Sequence, residues 1–139
     1  MKDFVVEKPV DLLPGLPEFN GRENRAMSLV WCIIRPESLE PVKQALTEVE
    51  LIGGMTITDV RGFGRQKGST EHYRGEPYTI RFVPKVRLEV AVASEDVNTV
   101  MTAVHRSACT GQVGDGKVFV LNLPTTMRIR TGERGVGAL

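Results

Sequence analysis

The sequence predicts an α+β domain in which two helices pack on one face of an antiparallel sheet. Three observations lead there. A strand-helix-strand pattern occurs twice, a polar glycine-rich segment of more than twenty residues separates the two copies, and 139 residues with 41% hydrophobic content suit one globular core.

Residues 1–27 hold Pro9, Pro14, Pro17, Gly15 and Gly21 with no sustained apolar period, so they read as an N-terminal extension or strap rather than a helix. The compact domain is expected over residues 28–139. Leu29 to Ile34 is almost wholly apolar, as in a strand covered on both faces, and Pro36 ends it. Ser38 is placed to cap a helix whose apolar face is Leu39, Val42, Leu46 and Val49, closed by Gly53 and Gly54. Met55 to Arg61 is β-branched enough for a second strand.

The glycine-rich segment follows, with Gly62, Gly64, Gly68 and Gly75, and runs to about residue 84. Loops beyond about 12 to 15 residues are uncommon in compact domains and are usually functional. Val86, Leu88, Val90 and Val92 then alternate with Lys85, Arg87, Glu89 and Ala91, the period of a half-buried strand. Ser94 is the expected cap of a second helix with the stripe Val97, Val100, Met101, Val104 and Ala108. A glycine turn (Thr110 to Lys117), an apolar strand (Val118 to Leu123) and a short last strand (Met127 to Arg130) complete the chain. Two such units give a ferredoxin-like βαββαβ sandwich. Its second sheet face needs cover, and in so small a domain another copy is the natural source, so a homo-oligomer is expected.

Eighteen basic against seventeen acidic residues leave a formal charge of +1, which supplies no global field for nucleic acid or anionic lipid. An RNA-binding module would also display aromatic side chains on its strands, yet aromatics make up 6% of the chain and only Phe119 is expected on a central strand. No apolar run approaches the ~20 residues needed to span a bilayer, and the N-terminus lacks a signal-peptide pattern. Cys32 and Cys109 are expected to be reduced, buried packing residues. The chain is therefore expected in the cytoplasm.

Anion binding must come from a local cluster. Gly111 to Lys117 fits the start of the phosphate-loop pattern GxxxxGK, but Val118 stands where Ser or Thr would hold magnesium and the turn leads from helix to strand. What survives is glycine backbone able to approach an anion closely and a charge from Lys117. Arg128 and Arg130, two apart, would point the same way on a strand and suit phosphate oxygens. His72 and His105 lack partners at nucleophile or ligand spacing, and no paired carboxylates appear, which leaves a nucleotide-hydrolysing enzyme without a visible general base.

Three motifs make the pattern specific. Gly62-Phe63-Gly64-Arg65-Gln66-Lys67-Gly68-Ser69-Thr70-Glu71, with Tyr73-Arg74-Gly75 and Tyr78, resembles the T-loop (about residues 62–84) of the PII nitrogen regulatory signal-transduction proteins. Thr110-Gly111 and Gly114 to Val120 resemble their B-loop (about 110–117) and the strand after it, and Arg128 to Gly135 resembles their C-terminal signature (127–139). The resemblance implies a homotrimer that binds ATP or ADP between subunits. Thr56, Gly62, Phe63, Gly64, Arg65, Glu89, Gly114, Asp115, Gly116, Lys117, Arg128 and Arg130 would contact the nucleotide. 2-Oxoglutarate would chelate magnesium beside ATP, with Gln66 as a metal ligand and Arg65, Gln66, Lys67, Gly68 and Lys85 around the acid.

By the same resemblance the T-loop docks on an ammonium channel, a signal-transduction kinase, a uridylyltransferase or a nitrogen-assimilation enzyme, and Tyr78 matches the tyrosine that many bacterial members have uridylylated. The protein would regulate rather than catalyse. Departures from the pattern are Glu76-Pro77 before Tyr78, Arg81 where an acid is usual, and the arm before Met27. The alternatives are a diverged sensor of another metabolite and a nucleotide-hydrolysing enzyme using the same cleft.

Overall fold

The computed structural model describes residues 26–50, 53–64 and 81–139. The elements run β1 (Met27–Ile34), α1 (Leu39–Glu48), β2 (Thr56–Gly62), β3 (Val83–Ala93), α2 (Val97–Ala108) and β4 (Gly116–Leu123). The sheet order is β2-β3-β1-β4 with every neighbouring pair antiparallel. Each helical crossover leaves a gap that a strand of the other unit fills, which is the ferredoxin-like arrangement expected from the doubled pattern.

Strand parity decides which side chains form the core. Val30, Cys32 and Ile34 of β1 and Val86, Leu88, Val90 and Val92 of β3 face the helices, which return Val42, Leu46, Val100, Val104 and Ala108. All are buried, and each large one contributes roughly 1.5–3 kcal/mol through removal of apolar surface from water. The opposite face carries Leu29, Trp31 and Ile33 beside Ala91, Glu89 and Arg87 of β3 and Leu121, Phe119 and Lys117 of β4. Phe119 and Leu121 stay 47% and 40% exposed, an apolar surface without cover from the described residues.

Several expectations need correction. Ser38 and Ser94 make no side-chain cap, because a 3-10 turn begins before each helix: Pro36 starts the first, and Ser94 opens the second with its hydroxyl bonded to that of Ser28 at 2.6 Å. The chain turns out of α1 at Glu50, which takes φ 55, ahead of Gly53 and Gly54. Met101 lies on the exposed side of α2, while Ala103 packs against the core in its place. Phe119 sits on the edge strand β4, while the aromatic on a central strand is Trp31. Cys32 is buried, which pushes its thiol up to about 11, but Cys109 lies past the end of α2 and is exposed.

The largest correction is at residues 127–130. No strand forms there. Met127 makes a single bridge to Arg134, the chain turns over Arg128 to Gly132, and Ile129 is 92% exposed. The alternation of Arg128 and Arg130 therefore carries no common strand face. Residues 1–25 and 65–80 lie outside the described residues, so the extension and most of the long loop, with Arg65, Gln66, Lys67, Gly68, Tyr73 and Tyr78, receive no structural account.

Candidate functional site

At one end of the sheet β1 leaves through Arg35, β2 ends at Gly62, β3 begins, and β4 begins at Gly116. The long loop and the glycine turn therefore share this end. Phe63 and Phe82 close the loop stem edge to face, with centroids 5.8 Å apart. Gly62 pairs with Val83, and Gly64 follows beyond the last ladder pair.

The turn is built tightly. Gly111, Gly114 and Gly116 have φ values of 79, 105 and 107, in the region that favours glycine. A Cβ on Gly116 would stand 1.7 Å from the Ile33 carbonyl oxygen, so only glycine lets β4 start where it does. The Asp115 carboxylate accepts from the Thr110 hydroxyl (2.5 Å), the Thr110 amide (2.7 Å) and the Gly111 amide (3.0 Å), and lies 3.3 Å from Arg35 Nε. Those donors, the Thr110 hydroxyl foremost, hold its pKa down at about 2. This carboxylate is spent within the turn.

The ammonium of Lys85, on β3, donates to the Gly114 carbonyl at 2.6 Å, so the base of the long loop and the glycine turn are joined by a cation. Lys117 is exposed one residue into β4. On the open sheet face Thr56 pairs with Glu89, and Glu89 lies 2.8 Å from Arg87 Nε. That contact is charge proximity only: Arg87 Nε makes no hydrogen bond, and its guanidinium lies over the Trp31 ring at 4.9 Å.

The predicted phosphate cations do not converge within one chain. β4 runs antiparallel to β1 from Gly116, opposite Ile34, to Leu123, opposite Met27, roughly 23 Å along the sheet at 3.3 Å per residue. The C-terminal segment is anchored at the Met27 end, where the Thr126 hydroxyl lies 3.5 Å from Met27 Sδ and Leu139 lies against Gly53. There Arg128 pairs with Glu133 at 2.8 Å and donates to the carbonyls of Gly137 and Leu139 at 3.2 and 3.4 Å. Arg130 is exposed. Lys85, Lys117 and the glycine turn thus occupy one end of the sheet, and Arg128 the other. The contact that sequence reasoning missed is Arg35 to Asp115 and Val113; an Asp between two glycines, in a Gly-Asp-Gly run separated by two residues from a Thr-Gly pair, was the available signal for a braced turn.

Among the described residues no cluster of His, Cys, Asp and Glu is grouped as a metal site, and no helix is long and apolar enough to cross a membrane. Residues 27–133 match the family model described as nitrogen regulatory protein P-II. The chain is 50% identical over 113 residues to the nitrogen regulatory protein P-II of Rhizobium etli and 49% identical to the nitrogen regulatory protein GlnK of Escherichia coli K12, in each case 81% of this chain and all of the relative. These relatives are named as regulatory proteins. Among solved structures it is similar to a B. subtilis GlnK-ATP complex (TM-score 0.69, 32% identity, 82% of this chain and 96% of that one). It is also similar to Arabidopsis thaliana PII bound to citrate (TM-score 0.67, 37% identity, 83% and 94%). The chain belongs to the nitrogen regulatory protein P-II family.

Proposed function

We infer that this chain is a homotrimeric sensor of ATP or ADP and 2-oxoglutarate, and that it regulates partner proteins through the segment 62–84. The observation that carries the reading is the division of its cations. Lys85, Lys117 and the Gly114 to Gly116 turn sit at one end of the sheet and Arg128 at the other, on a domain whose second sheet face carries an apolar surface that the described residues leave uncovered. Two copies packed through that face can set the glycine turn of one beside the C-terminal segment of the next, so a nucleotide between them completes its phosphate shell from both. Glycine backbone and Lys117 fit the phosphates, and Thr56 and Glu89 fit the nucleoside. Arg65, Gln66, Lys67 and Gly68, with Lys85, would receive magnesium and 2-oxoglutarate.

Because Lys85 belongs to the base of the long loop and also bonds the turn, a ligand that engages it alters both. Ligands that favour different arrangements of the loop would then select among partners, such as an ammonium channel, a signal-transduction kinase, a uridylyltransferase or a nitrogen-assimilation enzyme. Uridylylation of Tyr78 would add bulk and negative charge to that surface. Calorimetric titration of ATP with magnesium, with and without 2-oxoglutarate, tests the reading. Each ligand is expected to strengthen binding of the other; ATP binding indifferent to 2-oxoglutarate would point to a sensor of another metabolite.

A further inference from the structure

Arg35 leaves β1 at the sheet end occupied by the glycine turn. Its Nη2 donates to the Val113 carbonyl at 2.7 Å while its Nε faces the Asp115 carboxylate at 3.3 Å. The guanidinium also lies beside Gly114: a Cβ there would stand 3.0 Å from Nη2. One planar fork therefore reaches three consecutive residues of the turn from a position 78 to 80 residues earlier in the chain, just past the end of β1.

The peptide geometry gives this a consequence. No peptide bond among the described residues is cis, so each N–H points opposite to the carbonyl of its own peptide unit. Arg35 takes the carbonyl of the 113–114 peptide and Lys85 that of the 114–115 peptide. The amides of Gly114 and Asp115 are thereby turned away from those two cations. The Thr110 and Gly111 amides are already used by Asp115. The Gly114 and Asp115 amides are two successive backbone donors, the kind of pair from which anion nests are built.

We propose that Arg35 is a positioning residue that holds the Val113 to Asp115 peptides so that their amides form the phosphate-receiving part of the turn, without itself touching the nucleotide. The consequence for binding rests on the nucleotide reading above; the bracing of the turn does not. Lys85 alone leaves the 113–114 peptide free to flip, because its bond reaches only the next carbonyl.

The test is Arg35→Ala with Arg35→Lys beside it, read in two ways. Backbone 15N relaxation of the ligand-free protein is expected to show residues 112–116 falling from rigid order parameters near 0.85 to below about 0.6, while β1 and β3 stay rigid. ATP and ADP affinities are expected to fall roughly 10- to 100-fold, the range seen when a group orienting a metal ligand is removed, with adenosine affinity unchanged. Arg35→Lys, which keeps the charge but loses the fork, should fall between, and it serves alone should the alanine variant fail to fold. An unchanged turn in both variants, or equal loss of ATP and adenosine, overturns the proposal. A loosened turn in a protein whose wild type binds no ATP would overturn the nucleotide reading and leave the brace standing.

Discussion

The glycine turn at 110–117 and the C-terminal segment at 127–139 both carry cations that suit a phosphate, yet they are built in opposite ways. In the turn, an internal carboxylate and two cations, Lys85 from β3 and Arg35 just past the end of β1, hold backbone in place, and Lys117 is left exposed. In the C-terminal segment Arg130 is exposed but Arg128 is occupied, since Glu133 five residues on pairs with it. On the proposed reading the first would receive an anion as it stands, while at Arg128 the second would exchange an internal acid for one.

The most damaging way to break the turn is Gly116→Ala. Its Cβ would run into the Ile33 carbonyl at a residue with φ 107, so both backbone strain and a steric clash arise. A loss of about 3 kcal/mol or more is expected, visible as a fall in the thermal midpoint. The equivalent change at Gly111, with nothing within 4 Å of its Cβ, should cost only the positive-φ strain.

A sharper cut separates the two ligands. Lys85→Ala is expected to abolish the 2-oxoglutarate response in calorimetry while leaving ATP binding largely intact, because Arg35 still holds the neighbouring carbonyl. Unchanged 2-oxoglutarate affinity in this variant would remove Lys85 from the acid site.

Asp115 gives the turn a pH signature. Its folded pKa of about 2 lies below the ordinary 3.8, so the unfolded chain takes up the proton first as pH falls. Its contribution is complete above about pH 4 and is lost as pH drops through 2. The stability gap between wild type and Asp115→Asn should be constant near neutrality and close across that window. A gap that persists at pH 2 would assign Asp115 a role that does not depend on its charge.

How far all this was legible in the sequence depends on whether local spacing or distant contact decided the outcome. Alternation in Val86 to Val92 and helical spacing of Val42 and Leu46 fix which faces are buried wherever they fall, so the fold and core were readable. Arg128-Ile129-Arg130 shows the same alternation but forms no strand, because the chain folds back at Gly132 and Gly135, with φ 72 and 77, and exposes Ile129. The serines expected as caps failed for a local reason as well: a 3-10 turn starts ahead of each helix, once at Pro36. Arg35 could not be read as part of the turn, since its partners lie about eighty residues away.

The smallest expected effect bears most directly on the comparison. Arg128 and Glu133 are both partly exposed, and such pairs are worth about 0–1 kcal/mol. If a nucleotide phosphate must displace Glu133 from Arg128, removing the acid's charge removes that competitor. Glu133→Gln should then tighten ATP by up to about fivefold with little change in thermal stability, and Arg128→Gln should erase the gain. Weaker ATP binding in Glu133→Gln would mean instead that Glu133 holds Arg128 in place for the ligand, making the two ends of the sheet alike: each a cation or turn braced by an internal acid.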